Sequence, residues 1–371
     1  MGMVASASRL VFVTVPLAAA LAGGAPRPRA GDPNIASSAS RPIRGLFGSM
    51  GVVLCIVLVA ANTCRAELET QRDVPGWPGR PYELFLPSSY GAKALVPLIV
   101  ALHGGGGNSR AQRRLACPGG DIRNPGCMNV IADRAGFAVA YPNGTGARVF
   151  RNLRTWNAGG GKNGFQCVSG KACRDGIDDV AYFVAMLDDI GAAFQVDTSA
   201  VYFTGMSNGA AMAHRLACEL PERVAGIAAV GGANQYAATA PCTASKAVLQ
   251  IHGDADPCWS YAGGEQSCLD GNPGTKASVA ESVADWARRN QCSGSPRIEQ
   301  IPDTKPDGTV TAIHRYPGCQ RPVVLYLVQN GGHAWPGGYQ YFGERRIGRM
   351  SRDFSASEEI VKFFSALGIK P

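Results

Sequence analysis

Val201-Tyr202-Phe203-Thr204 is a short run of β-branched and aromatic residues. It stops at Gly205-Met206-Ser207-Asn208-Gly209 and passes directly into the Ala-, Met- and Leu-rich stretch Ala210 to Leu220. A strand that must turn sharply into a helix leaves few folds open, and in that setting Gly-x-Ser-x-Gly predicts a tight elbow with the serine at its apex. The glycines remove side chains that would collide across the turn. Ser207 Oγ is expected to stand clear of the strand end. The backbone N–H of Asn208 is expected at the helix N-terminus, aimed at developing negative charge.

The rest of the chain repeats this alternation. Val96 to Leu102, Gly136 to Tyr141, Val224 to Val230, Ala247 to Ile251 and Val323 to Val328 are near-continuous apolar runs, as in strands buried on both faces. Tyr82 to Leu86 alternates and predicts an edge strand, and Thr311 to Tyr316 an added one. Helical spacing begins at Ile177, and helices are expected over Ala277 to Arg289 and Ala356 to Leu367. Residues 108–130 read as a polar loop, and 147–174 as a long Gly-rich loop of the kind that is functional or pinned. Strands alternating with helices predict one α/β domain over residues 67–371, with a mostly parallel sheet covered on both faces.

Four apolar runs end in Gly-rich or polar turns, at residues 103, 205, 252 and 331. In a parallel α/β sheet such turns meet at the carboxyl edge of the strands, where ligands bind. They carry Ser207, Asp256 and His333 in the order of the α/β-hydrolase fold. Ser207 is the candidate nucleophile, His333 the candidate base, and Asp256 the carboxylate that holds the imidazole. Asp254 competes with Asp256 for that role. His214, His252 and His314 are expected to be structural, His252 by ordering its own turn. His103-Gly104-Gly105-Gly106-Gly107 is the candidate second half of an oxyanion hole, with the N–H of Gly105 or Gly106 paired with that of Asn208. No Gly-Lys-Ser/Thr follows these glycines, which excludes a phosphate-binding loop. Trp156 and Trp335 lie beside the expected site loops and are candidate pocket walls.

Leu10 to Ala22 and Leu46 to Ala61 are apolar, and the second follows Arg41 and Arg44 and ends in small residues. That pattern predicts a signal sequence within residues 1–66, cleaved after Ala61 or Ala66, with translation starting further in as one explanation of the doubled signal. Both stretches fall short of the ~20 residues a membrane span needs. Secretion is therefore expected, with no stable membrane insertion of the mature chain. Residues 1–66 hold six arginines and one acid, so they account for five of the eight net positive charges. The weak surplus that remains gives no reason to invoke nucleic acid. Ten cysteines lie beyond the leader, an even number that reads as disulfides in an exported protein. Pairing of sequence neighbours is the expectation: Cys117 with Cys127, Cys167 with Cys173, Cys218 with Cys242, Cys258 with Cys268 and Cys292 with Cys319. Sequence alone does not fix this connectivity. Without a Cys-x-x-Cys and with histidines apart from the cysteines, no metal site is expected.

These residues resemble the secreted polyhydroxybutyrate depolymerase esterases, a family similar to feruloyl and acetylxylan esterases. The resemblance rests on Gly205-Met206-Ser207-Asn208-Gly209 with Met212 and Arg215-Leu216-Ala217-Cys218. It extends to Trp156-Asn157-Ala158-Gly159, Asp178-Asp179-Val180, His252-Gly253 with Asp256-Pro257, and Gly332-His333 with Trp335-Pro336-Gly337-Gly338. It implies an α/β-hydrolase fold without metal or cofactor, Ser207, Asp256 and His333 as the triad, and an ester substrate. That substrate is either an oligomeric hydroxyalkanoate or a hydroxycinnamoyl polysaccharide. Many polymer-degrading members carry a separate binding domain after the catalytic one, which this sequence does not show. The alternatives are a serine peptidase on the same fold and a non-catalytic binding protein that has kept the fold.

Overall fold

Alternate side chains of one buried strand feed two separate cores. Leu98, Val100 and Leu102 pack into one apolar cluster, and Ile99 and Ala101 into another on the opposite face of the sheet. This is the period-two geometry of a strand covered on both sides. The structure is a computed structural model describing residues 68–92, 95–146, 152–165, 167–168, 170–267 and 273–368. The expected leader, residues 1–66, lies outside the described residues. The described residues all fall within one compact unit.

The strands in chain order are β1 (Leu68–Val74), β2 (Trp77–Leu86), β3 (Val96–Leu102), β4 (Ala138–Pro142), β5 (Val196–Met206), β6 (Val224–Val230), β7 (Ala247–Gly253), β8 (Gly264–Ser267), β9 (Pro273–Lys276), β10 (Arg297–Gln300), β11 (Val310–Arg315) and β12 (Val323–Gln329). Ten of them make one sheet in the order β1-β2-β4-β3-β5-β6-β7-β12-β11-β10, and β8 pairs with β9 alone. The centre, from β4 through β12, is parallel. The flanking pairs at both sides are antiparallel. The fold is an α/β-hydrolase sheet, as the strand-helix alternation predicts.

The helices are α1 (Ser109–Leu115), α2 (Met128–Ala135), α3 (Gly170–Arg174), α4 (Asp179–Ala193), α5 (Asn208–Glu219), α6 (Val279–Arg289), α7 (Glu344–Ile347) and α8 (Ala356–Ala366). Apolar residues of α4, α5 and α6 fill the first cluster, and those of α2 and α8 the second.

Three expectations need correction. Tyr82 to Leu86 is not an edge strand, because β1 pairs along its outer side. The polar alternation of residues 68–74 hid that outer strand. Residues 108–130 are not one loop. Asn108 caps α1 by accepting the Ala111 N–H at 3.0 Å, and Ser109, Gln112 and Leu115 recur at helical spacing to give a short buried face. The strand predicted from Gly136 begins at Ala138, because Gly136 is the left-handed cap of α2 at φ 76°.

Candidate active site

The elbow is built from backbone crowding. Ser207 sits at φ 56° and ψ −116°, a strained position for a residue with a side chain. A methyl on Gly209 would stand 2.4 Å from Leu102 O, and one on Gly205 2.6 Å from the Gly209 carbonyl carbon. Gly209→Ala is therefore expected to destabilise the fold by about 1–3 kcal/mol. It should show as a lower urea midpoint, and an unshifted midpoint would contradict this account of the turn. Ser207 is the N-cap of α5, but its hydroxyl makes no capping bond, which leaves Oγ available for chemistry.

His333 follows β12 through Gly331 and Gly332. The loop is held by the segment around α7: Gly332 N–H donates to Arg349 O at 2.7 Å and His333 N–H to Ile347 O at 2.5 Å. Tyr341 Oη donates to His333 O at 3.2 Å. Asp256 follows β7. Its Oδ2 lies 2.7 Å from His333 Nδ1, and both side chains are buried. Its Oδ1 accepts the N–H groups of Cys258 at 2.7 Å and Trp259 at 2.8 Å. The carboxylate is thus satisfied on both oxygens and can accept only a proton-bearing Nδ1. In the neutral ring, Nε2 of His333 is then the nitrogen with the lone pair. Asp254 faces solvent and caps the Asn330 N–H at 2.7 Å, so Asp256 is the acid that meets the imidazole.

No hydrogen bond joins the Ser207 hydroxyl to the His333 imidazole in this structure. Both border the Gly231-Gly232 turn: a methyl on Gly231 would lie 3.3 Å from His333 Nδ1, and one on Gly232 2.5 Å from Ser207 O. Hydroxyl-to-imidazole contacts of this kind commonly tighten only when substrate is bound.

Of the two candidate donors opposite Asn208, Gly106 is already committed, since its N–H donates to Arg154 O at 2.9 Å. That removes Gly106 from the expected oxyanion pair and leaves Gly105. Gly104 packs directly on the elbow, where a methyl would sit 3.5 Å from Ser207 Cβ. Trp156 and Trp335 do not line an open pocket. Both are fully buried, and their indole N–H groups donate to His103 O at 2.9 Å and Ser357 Oγ at 3.1 Å. Indoles beside a site loop in sequence were drawn inward by the large apolar area they bury.

The remaining histidines are structural. His252 Nε2 donates to Trp259 O at 2.7 Å, which closes the turn that presents Asp256. His314, in the alternating strand β11, is partly exposed. His103 Nε2 accepts the Gly144 N–H at 3.0 Å, so Nδ1 carries the proton and donates to Gly104 O at 2.8 Å. His214 accepts the Trp286 indole N–H at 3.0 Å. Burial holds the imidazoles of His103 and His214 down to about 3. In the unfolded chain each would take up a proton near pH ~6.5. Between those values the unfolded state binds more protons, so stability is complete above pH ~6.5. It then falls by about 1.4 kcal/mol per pH unit for each histidine as the pH drops toward 3. Urea midpoints measured from neutral pH downward should show this slope, and a flat profile would contradict it.

Four of the expected cysteine pairs are disulfides: Cys117–Cys127, Cys167–Cys173, Cys218–Cys242 and Cys292–Cys319. Cys268, the expected partner of Cys258, lies outside the described residues. Asp256, Cys258 and His333 have ligand atoms within 4.8 Å of one another. Cys258 is disulfide-bonded, which removes the thiolate a metal would require.

Sequence reasoning missed the supports behind the site. Asp179 is fully buried. It accepts the Asn157 N–H at 2.6 Å and pairs with Arg80 at 2.5 Å. Burial pushes its carboxyl up, against the opposing pull of Arg80. Nothing in the spacing of residues 80, 157 and 179 signals that they meet.

Residues 80–260 match the family model described as Esterase PHB depolymerase, a span that includes Ser207 and Asp256. A putative esterase, NocK, from Nocardia uniformis subsp. tsuyamanensis is 32% identical over 301 residues, covering 77% of this chain and 79% of that protein. A probable feruloyl esterase C from Aspergillus terreus is 25% identical over 289 residues, covering 77% of this chain and 87% of its own. Among solved structures, an acetyl xylan esterase from Aspergillus awamori superposes with a TM-score of 0.48 at 14% identity, over 72% of this chain and 94% of that one. By the family model and the length of the match to the Nocardia esterase, this chain belongs to the PHB depolymerase esterase family, carboxylic ester hydrolases on the α/β-hydrolase fold.

Proposed function

We propose that the protein is a secreted serine esterase that cleaves hydroxyalkanoate esters through an acyl-enzyme. The observation that carries this reading is the buried 2.7 Å contact between Asp256 Oδ2 and His333 Nδ1, set beside the strained Ser207. His333 Nε2 takes the Ser207 proton as Oγ bonds to the ester carbonyl carbon. The N–H groups of Asn208 and Gly105 receive the oxyanion. His333 returns the proton to the leaving alcohol as the C–O bond breaks, and Asp256 stabilises the imidazolium throughout. A water then attacks the acyl-enzyme by the same proton relay in reverse, releasing the acid and restoring Ser207.

The four disulfides among the described residues support export. No described helix is long and apolar enough to cross a membrane. A second reading, a feruloyl esterase acting on plant polysaccharide, is supported by relatives that bear that name. A fluorophosphonate probe should label Ser207, and folded but unlabelled protein would point instead to a non-catalytic binder. Hydrolysis rates on 3-hydroxybutyrate oligomers and methyl ferulate separate the two ester classes. Faster turnover of methyl ferulate would overturn the hydroxyalkanoate assignment.

A further inference from the structure

Trp156 makes more polar contacts than a core-filling indole requires. Its Nε1–H donates to His103 O at 2.9 Å, where the glycine turn of residues 103–107 begins. Its own peptide unit is clamped from the other side by the Asn208 side chain. Asn208 Oδ1 accepts the Trp156 N–H at 2.7 Å, and Asn208 Nδ2 donates to Trp156 O at 3.0 Å and Val168 O at 2.9 Å. Both residues are fully buried. One residue is therefore bonded to both segments that carry the oxyanion donors, Gly105 on the turn and Asn208 at the start of α5.

The surroundings stiffen this link. Arg154 N–H donates to Gly107 O at 3.0 Å and Arg154 O accepts from Gly106, so the chain leading into Trp156 runs bonded to the same turn. His103 passes the constraint on through Nδ1–H to Gly104 O. The indole ring is wedged between the His103 and Phe183 rings, at 4.8 and 5.2 Å between centroids. Val168, the third partner of the Asn208 amide, is next to Cys167 of the Cys167–Cys173 disulfide.

We propose that Trp156 is a positioning residue that sets the separation of the Gly105 and Asn208 N–H groups. The inference rests on the serine-esterase reading above. Two donors stabilise a tetrahedral oxyanion only when both reach the same point, and the loss of one such donor costs about 10²–10³ in rate. Trp156→Phe keeps an aromatic ring and the backbone clamp but removes the tie to His103 O. It should loosen the pair rather than delete a donor.

The test is steady-state kinetics of Trp156→Phe on a p-nitrophenyl ester, together with inhibition by phenylboronic acid. The boronic acid forms a reversible tetrahedral adduct as Ser207 Oγ adds to boron, and so reports transition-state binding. The expected result is a kcat roughly tenfold lower with KM within about twofold, and a boronate inhibition constant raised by the same factor. Trp286→Phe is the comparison. Trp286 is as deeply buried, and its N–H bond to His214 ties α6 to the middle of α5, six residues beyond Asn208, and does not bridge α5 to the turn of residues 103–107. It should lower the melting temperature without moving kcat or boronate affinity.

Should Trp156→Phe fail to fold, Asn208→Ala loosens the clamp from the other side and should give the same paired loss. Unchanged kcat and boronate affinity in a folded variant would overturn the proposal, as would an equal kcat loss in Trp286→Phe. Those outcomes leave the esterase reading standing if wild-type protein is labelled by the fluorophosphonate. A folded, unlabelled wild type would overturn both.

Discussion

Ser207→Ala is expected to fold normally and to lose nearly all ester hydrolysis. The acyl-enzyme route needs an oxygen at this position, and the neighbouring main chain supplies no other nucleophile. The loss in kcat should approach ~10⁶-fold, leaving only the residual catalysis of an oxyanion site that binds the ester and admits water. The backbone strain at Ser207 belongs to the elbow and not to the hydroxyl, so alanine retains it and the melting temperature should stay close to wild type. Ser207→Gly relieves it and should be the more stable variant of the two. Activity on a p-nitrophenyl ester above about a tenth of wild type in Ser207→Ala would remove the serine from the mechanism.

Asp256→Asn is the second large effect, and its cause is the direction of two hydrogen bonds. Oδ1 of Asp256 accepts from the N–H groups of Cys258 and Trp259. An asparagine placed there must keep its oxygen on those donors, which turns its NH₂ group toward His333 Nδ1. The imidazole can then meet it only as an acceptor, so the ring proton moves to Nε2, where it faces Ser207 and cannot receive the serine proton. The wrong tautomer costs about 10⁴ in kcat where the surrounding geometry is preserved. A loss below about tenfold would show that the 2.7 Å contact does not orient the base. Asp254→Asn, on the exposed neighbour that caps Asn330, should leave kcat unchanged.

The parallel strands were legible because burial on both faces writes them as near-continuous apolar runs. Val96–Leu102, Val224–Val230 and Ala247–Gly253 all carry that signature. Strands at the sheet margins do not. β1 and β10 are polar and exposed along much of their length, and they become strands only because a neighbour offers its edge. The turn residues at the carboxyl edge were legible for a related reason: a glycine or acid at the end of an apolar run has one place to go. The His252-Gly253-x-x-Asp256 turn favours Asp256 over Asp254 in the sequence itself, whereas choosing between Gly105 and Gly106 needed coordinates, because neighbours in a turn differ only in which way they point. The two tryptophans were misread for the same cause. Sequence proximity to a site loop does not say whether an indole faces the substrate or the core.

Local chemistry in the chain was thus enough to determine the elbow at Ser207, the parallel centre of the sheet and the order in which Ser207, Asp256 and His333 follow its strands. Each follows from residues close together in sequence, where sterics, hydrophobic period and loop length act directly. Tertiary structure alone decided that the Gly106 N–H is committed to Arg154 O, that Asp179 pairs with Arg80, and that Trp156 joins His103 to Asn208. These contacts span tens of residues. Such contacts are set by how layers pack and which polar groups remain to be satisfied once water is excluded, and no short stretch of sequence carries that information.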